Sequence, residues 1–87
     1  MVKVTLRESA KNDLRKLVRP LRRAILAACQ EIYDDWAIGK ELNDPLRGHR
    51  VHRIGVYRII YIVKESSHIE IVAIGHRRDI YENAKKR

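Results

Sequence analysis

Residues 57–63 read Tyr-Arg-Ile-Ile-Tyr-Ile-Val, and no other stretch constrains the fold so tightly. Tyr57, Ile59, Tyr61 and Val63 alternate with Ile60 and Ile62, so an extended strand here is apolar on both faces, interrupted only by Arg58. A strand with one wet face alternates apolar with polar residues, whereas one that is apolar on both faces must be covered on both. The run from Val56 to Lys64 is therefore expected to be the central strand of a sheet. Its neighbours follow from short connections: His49 to Ile54 precedes it across Gly55, and His68 to Gly75 follows it across Glu65-Ser66-Ser67. Turns this short join antiparallel strands.

The covering layers come from the rest of the chain. Val2 to Leu6 alternates apolar with polar side chains and predicts a short half-buried strand. Ser9 can cap a helix whose apolar positions are Ala10, Leu14, Leu17 and Val18, ending before Pro20. Proline suits the first turn of a second helix, whose stripe of Leu21, Ile25, Ala28, Cys29, Ile32 and Trp36 runs through Ala37. The two helices form a hairpin on one face of the sheet, with Trp36 ending the stripe as a core residue. The tail from Asp79 to Lys86 covers part of the other face as a short third helix. Ile38 to Gly48, holding Gly39, Asn43-Asp44-Pro45 and Gly48, is punctuated as a loop. The expected class is α+β: strand, two helices, three strands and a terminal helix, with a mostly antiparallel four-stranded sheet packed on the helix hairpin.

A chain of 87 residues makes one domain with one core and leaves little room for a buried cofactor cavity, so no cofactor is expected. No apolar run is long enough to cross a bilayer, and the charged N-terminus lacks a signal-peptide core. These features predict a soluble, cytoplasmic protein with no membrane partner. Cys29, the lone cysteine, falls in a helical apolar stripe and is expected to be a core thiol. Nineteen lysines and arginines against eleven acids leave a net charge of +8, which favours a polyanionic or acidic partner. From Leu46 through Lys64 the chain carries Arg47, Arg50, Arg53, Arg58 and Lys64 and no acid. A solvated basic face is the ordinary explanation of such a run. On neighbouring strands, however, it concentrates one sign of charge.

The histidines, His49, His52, His68 and His76, show no helical ligand spacing and lack the cysteine or carboxylate partners of a closed zinc site. The sheet region holds only Glu65 and Glu70 as acids, too few for a two-metal nuclease. There is no phosphate-cradling glycine loop and no serine or cysteine nucleophile setting. What remains is a basic, metal-free surface. Such a surface can cleave RNA, because the 2′-hydroxyl is a nucleophile already present in the substrate.

Leu46 and Gly48, then Gly55, Tyr57 and Arg58 before an apolar strand, then Gly75, His76, Arg77 and Tyr81 together resemble the C-terminal pattern of the RelE/ParE toxin superfamily of type II toxin–antitoxin pairs. The element order fits that family too. The resemblance implies a cognate antitoxin that folds onto the basic surface, and a monomeric toxin or a toxin–antitoxin hetero-oligomer. For a RelE-type member it further implies a metal-independent endoribonuclease, an mRNA interferase that cuts mRNA in the ribosomal A site and stops translation. Carried over by position, Arg58 contacts the scissile phosphate, Arg77 stabilises the leaving or attacking oxygen, and Tyr81 stacks on or orients a nucleotide. Arg53 lies where the family carries a lysine or arginine, while Val51 or His52 stands where it carries a second cation. His52 and His76 are then the candidates for the general base. Arg47, Arg50 and Arg78 are the further RNA-binding candidates, with rRNA contacts included.

Structural roles compete at each position. Tyr57 and Tyr61 are expected to pack in the core, and Arg58 could pair with Glu82. Arg77 and Arg78 flank a helix start, where cations are disfavoured, which strengthens the functional interpretation. ParE-like relatives inhibit DNA gyrase without cleaving anything and share the same motifs. A nontoxic relative that only binds an antitoxin or nucleic acid is the third alternative.

Overall fold

The computed structural model describes residues 3–65 and 68–86. Its elements are β1 (Lys3–Leu6), α1 (Glu8–Arg15), α2 (Arg19–Asp34), β2 (Lys40–Glu41), β3 (His49–Ile54), β4 (Tyr57–Lys64), β5 (His68–His76) and α3 (Ile80–Lys85). They form one sheet in the order β1-β5-β4-β3-β2, with β1 parallel to β5 and every other pair antiparallel. The two-faced strand β4 lies in the middle, as its apolar alternation requires. The sheet has five strands rather than the expected four, because Lys40 and Glu41, placed by sequence in a loop, pair with Val51 and Arg50 at the β3 edge. Val2 and the Ser66-Ser67 turn lie outside the described residues.

Each face of β4 belongs to its own core. Ile59 and Tyr61, with Ile69, Ile71 and Ile74 of β5, pack against Ala10, Ile25, Ala28, Cys29 and Ile32 of the helix hairpin. Ile60, with Val51, Val72 and Ala73, packs against Ile80 and Ala84 of α3 on the opposite side, joined by Leu46. The division follows from period-two alternation along β4 meeting the helical stripe of α2. A bulge between the Ile60–Ala73 and Tyr61–Ile71 pairs leaves Val72 without a β4 partner, so Val72 and Ala73 both serve the α3 side.

Ser9 is not the cap of α1: Arg7 occupies that position, and the Ser9 hydroxyl donates instead to the Val72 carbonyl at 2.8 Å. One turn later Asp13 Oδ2 accepts from the Ile74 amide at 3.0 Å. β1 stops at Leu6 opposite Ile71, so two polar side chains of α1 take over where the strand ladder along β5 ends. The hairpin is also shorter than the stripe suggested. Val18 is exposed as the residue before α2, and Pro20 sits in the first turn of that helix. The second helix ends at Asp34, before the expected Ala37, and Trp36 is 38% exposed rather than core.

The segment beyond α2 is held by Tyr61, whose side chain is fully buried. Its hydroxyl accepts from the Gly39 amide at 2.9 Å and donates to the Trp36 carbonyl at 2.8 Å. Burial raises the Tyr61 phenol above its ordinary value, so the donated proton stays in place at neutral pH. A Cβ at Gly39 would overlap that hydroxyl, which accounts for glycine at this position. Gly55, at φ +58°, supplies the positive φ at the first central residue of the two-residue turn from β3 to β4.

Candidate nucleic-acid interface

β3 and β4 place Arg53 and Arg58 directly opposite one another, on the side of the sheet that carries α3. Like charges at such a cross-strand pair are unfavourable. Among the described residues neither arginine forms an ion pair, and Glu82, the partner considered for Arg58, binds Lys85 at 3.0 Å. Arg58 is only 9% exposed, and its Nη1 donates to the carbonyls of Gly55 at 3.0 Å and Tyr57 at 2.9 Å. Those contacts fix the guanidinium but leave its charge uncompensated. A buried, unpaired cation is costly, and a bound anion would relieve the cost.

An open groove of about 470 Å³ runs past this pair. Arg53 and Arg58 line it together with Lys40, Glu41, Leu42, Asn43, Val51 and Tyr81, and the Glu41 carboxylate there is taken up by Arg50 at 3.0 Å. Tyr81, in the first turn of α3, is half-buried against the α3-side core and also borders the groove. Arg53, Arg58 and Tyr81, far apart in sequence or chosen only by motif, therefore meet in one place. The groove offers two planar phosphate-binding forks, an aromatic surface and a phenolic hydroxyl, which together suit a single-stranded polynucleotide.

The remaining candidates do not join them. His52 is one residue from Arg53 and hence on the opposite face, where Nε2 lies 3.2 Å from Glu31 Oε1 of α2. His76 is opposite Tyr57, also on the helix-hairpin side, with ring centroids 5.8 Å apart and edge-on. Its Nδ1 accepts from the Arg78 amide at 3.1 Å. Arg50 likewise faces the hairpin side, bonded to the Gly39 carbonyl at 2.6 Å and to Glu41 at 3.0 Å, with its guanidinium 5.2 Å from the Trp36 ring centre. Arg47 pairs with Asp44 at 3.3 Å. The acid-free stretch is thus not one basic surface: Arg50 pairs with Glu41 of β2 and Arg47 with Asp44 of the loop that follows it, while Arg53 and Arg58 make no ion pair among the described residues. Arg77 and Arg78 are exposed at the exit of β5, outside the groove lining. The Arg77 amide donates to the Val56 carbonyl at 2.7 Å, tying that exit to the turn that holds Arg58.

Lys40 is a groove cation that the sequence did not reveal. A strand of two residues has no periodicity to detect, and nothing in the loop pattern singles this lysine out.

The family model for the ParE toxin of type II toxin–antitoxin systems, parDE, matches residues 4–81. The chain belongs to this ParE toxin family, within the RelE/ParE superfamily. A chain of the toxin–antitoxin complex RelBE2 from Mycobacterium tuberculosis superposes on this ParE-family protein with a TM-score of 0.81 at 25% identity, covering 87% of this chain and 98% of that one. The isolated RelE toxin of E. coli gives 0.74 at 21% identity over 100% and 98% of the two chains. The archaeal RelE–RelB complex from Pyrococcus horikoshii gives 0.69 at 21% identity over 87% and 94%. No curated protein sequence matches the chain. The ParE-family protein thus has the RelE-like α+β fold expected from its element order.

Proposed function

We propose that this type II toxin is a ribosome-dependent endoribonuclease that cuts mRNA in the A site without a metal, and that a cognate antitoxin silences it. The observation that carries this proposal is the Arg53–Arg58 pair, without an ion-pair partner among the described residues, lining one groove of about 470 Å³ with Tyr81. Cleavage by the 2′-hydroxyl requires alignment of that oxygen with the adjacent phosphorus and stabilisation of the negative charge that grows on the phosphoryl oxygens. In the proposed reaction, Arg58, oriented by the Gly55 and Tyr57 carbonyls, holds the scissile phosphate, and Arg53 shares the developing charge. Tyr81 stacks on the neighbouring base or orients its ribose. Arg77, at the mouth of the same end of the sheet, meets the leaving oxygen. The 2′-hydroxyl gives up its proton to water as its oxygen bonds to phosphorus, and the departing 5′-oxygen takes up a proton from water, leaving a 2′,3′-cyclic phosphate on one fragment and a 5′-hydroxyl on the other.

His52 and His76 lie across the sheet from the groove, which argues against either as the base. An antitoxin is supported by the toxin–antitoxin complexes among the structures that share this fold. Its acidic segment would cover the free arginines.

The match to ParE favours a second reading, inhibition of DNA gyrase, in which the same arginines contact protein or DNA and cleave nothing. Purified protein incubated with ribosomes on a defined mRNA, beside a gyrase supercoiling reaction, separates the two. Cut mRNA with active gyrase supports the nuclease; intact mRNA with blocked supercoiling supports the inhibitor.

A further inference from the structure

Lys40 and Glu41 form the shortest strand of the sheet, and their alternation sorts charge by face. Glu41, opposite Arg50, also borders the groove, but its carboxylate is held by Arg50 on the helix-hairpin side at 3.0 Å. Lys40, opposite Val51, turns to the groove, and among the described residues it makes no ion pair. Along β3 the Lys40–Val51 row lies two residues from the Arg53–Arg58 row, a separation of about 6.6 Å at the usual strand rise. That is the order of spacing between neighbouring phosphates on one strand, so a polyanion laid along the groove would meet the arginine pair and then the ammonium.

A two-residue strand cannot hold its own position. Here it is fastened from the far side of the sheet: the Tyr61 hydroxyl bridges the Gly39 amide and the Trp36 carbonyl, and Arg50 bonds both the Gly39 carbonyl and Glu41. We propose that Lys40 is a substrate-contacting residue that binds the phosphate next to the one held by Arg53 and Arg58, and that the Tyr61 hydroxyl is a positioning residue that aims it by fixing Gly39. The inference rests on the groove being the RNA site and extends it from one phosphate to two.

The test compares wild-type protein with Lys40→Ala, Lys40→Arg, Tyr61→Phe and the Lys40→Ala/Tyr61→Phe double variant, each first shown to be folded by circular dichroism. Two readouts are taken: single-turnover cleavage on programmed ribosomes, and anisotropy of a labelled, uncleavable 2′-O-methyl RNA oligonucleotide over a range of salt. Lys40→Ala should reduce the cleavage rate by about tenfold or more and make the slope of log affinity against log salt shallower by about 0.7, the share of one phosphate contact on a single strand. Lys40→Arg should restore the slope. Tyr61→Phe, which keeps the buried ring, should mimic Lys40→Ala, and the double variant should be no worse than Lys40→Ala alone.

Wild-type cleavage and slope in Lys40→Ala would overturn the proposal while leaving the nuclease in place. Multiplying losses in the double variant would overturn the positioning role of Tyr61. If wild-type protein fails to cleave but binds the oligonucleotide with a Lys40-dependent slope, the second phosphate site stands and cleavage does not. If it neither cleaves nor binds, both fall.

Discussion

Arg58→Ala separates chemistry from folding more sharply than any other substitution, because the opposing contributions of this residue to stability nearly cancel. The side chain is 9% exposed and donates two hydrogen bonds through Nη1. Hydrogen bonds from a charged donor are worth about 1.5–3 kcal/mol each in protein interiors, but Gly55 is an exposed turn residue whose carbonyl can rehydrate when the guanidinium leaves. Against the lost bonds stand relief of the repulsion from Arg53 directly opposite and of the cost of burying an unpaired charge. The net change in stability should stay within about 1 kcal/mol, a shift of roughly 4–8 °C in Tm for a domain of this size. Loss of one preorganised charge stabiliser, by contrast, costs about 10²–10³ in rate. Arg58→Lys should recover only part of that, since an ammonium lacks the planar fork. The assay is single-turnover cleavage on programmed ribosomes at saturating protein, with Tm measured on the same preparations. A folded Arg58→Ala protein that cleaves at the wild-type rate would refute the reasoning, and so would one that fails to fold.

Three further expectations follow from individual side chains. Asp13→Ala strips the Ile74 amide of its acceptor and should lower stability by about 1–3 kcal/mol in urea unfolding, the cost of an orphaned, part-buried donor. For Glu70, burial alone would raise the carboxyl, but the hydrogen bond and charge of Arg7 at 2.6 Å, helped by Lys64 at 3.5 Å, hold it below its ordinary value. A depressed acid stabilises above its unfolded pKa and loses that contribution as pH falls through the folded one. The stability gap between wild-type protein and Glu70→Gln should therefore be full at neutral pH and close in strong acid; a gap that widens in acid would contradict the pairing. Burial pushes the Cys29 thiol up to about 11, so a thiol reagent at neutral pH should label it only after unfolding.

The parts of the fold legible in the sequence were those with a long period to detect. The two-faced run in β4 and the stripe of α2 define both cores, and the late apolar positions Ile80 and Ala84 fit the short third helix. What escaped detection depends on parity and on short elements. His52 stands beside Arg53 in sequence, yet one residue along a strand reverses the face, so adjacency to an arginine says nothing about sharing a site with it. Arg50 is separated from the groove by the same alternation. The bulge at Val72 breaks the period in β5, and Ser9 and Asp13 serve that strand rather than their own helix, a tertiary use that local propensity cannot show. Trp36 continues the α2 stripe in register, but the helix ends two residues earlier, leaving the ring exposed against Arg50. Of the residues that line the proposed groove site, motif positions picked out Arg53, Arg58 and Tyr81, whereas Lys40 required the topology.

The central claim, an arginine-lined groove that lets the 2′-hydroxyl of RNA cut its own strand, is tested most directly by the chemistry of the product end. Ribosomes carrying a defined mRNA with a known A-site codon are incubated with the protein, and the 3′ end of the upstream fragment is identified by mass spectrometry. The account predicts a cut within the A-site codon that leaves a 2′,3′-cyclic phosphate, formed about 10²–10³ times more slowly by Arg58→Ala. A 3′-hydroxyl end, which only attack by an external nucleophile produces, or an mRNA left whole at saturating protein, would contradict it.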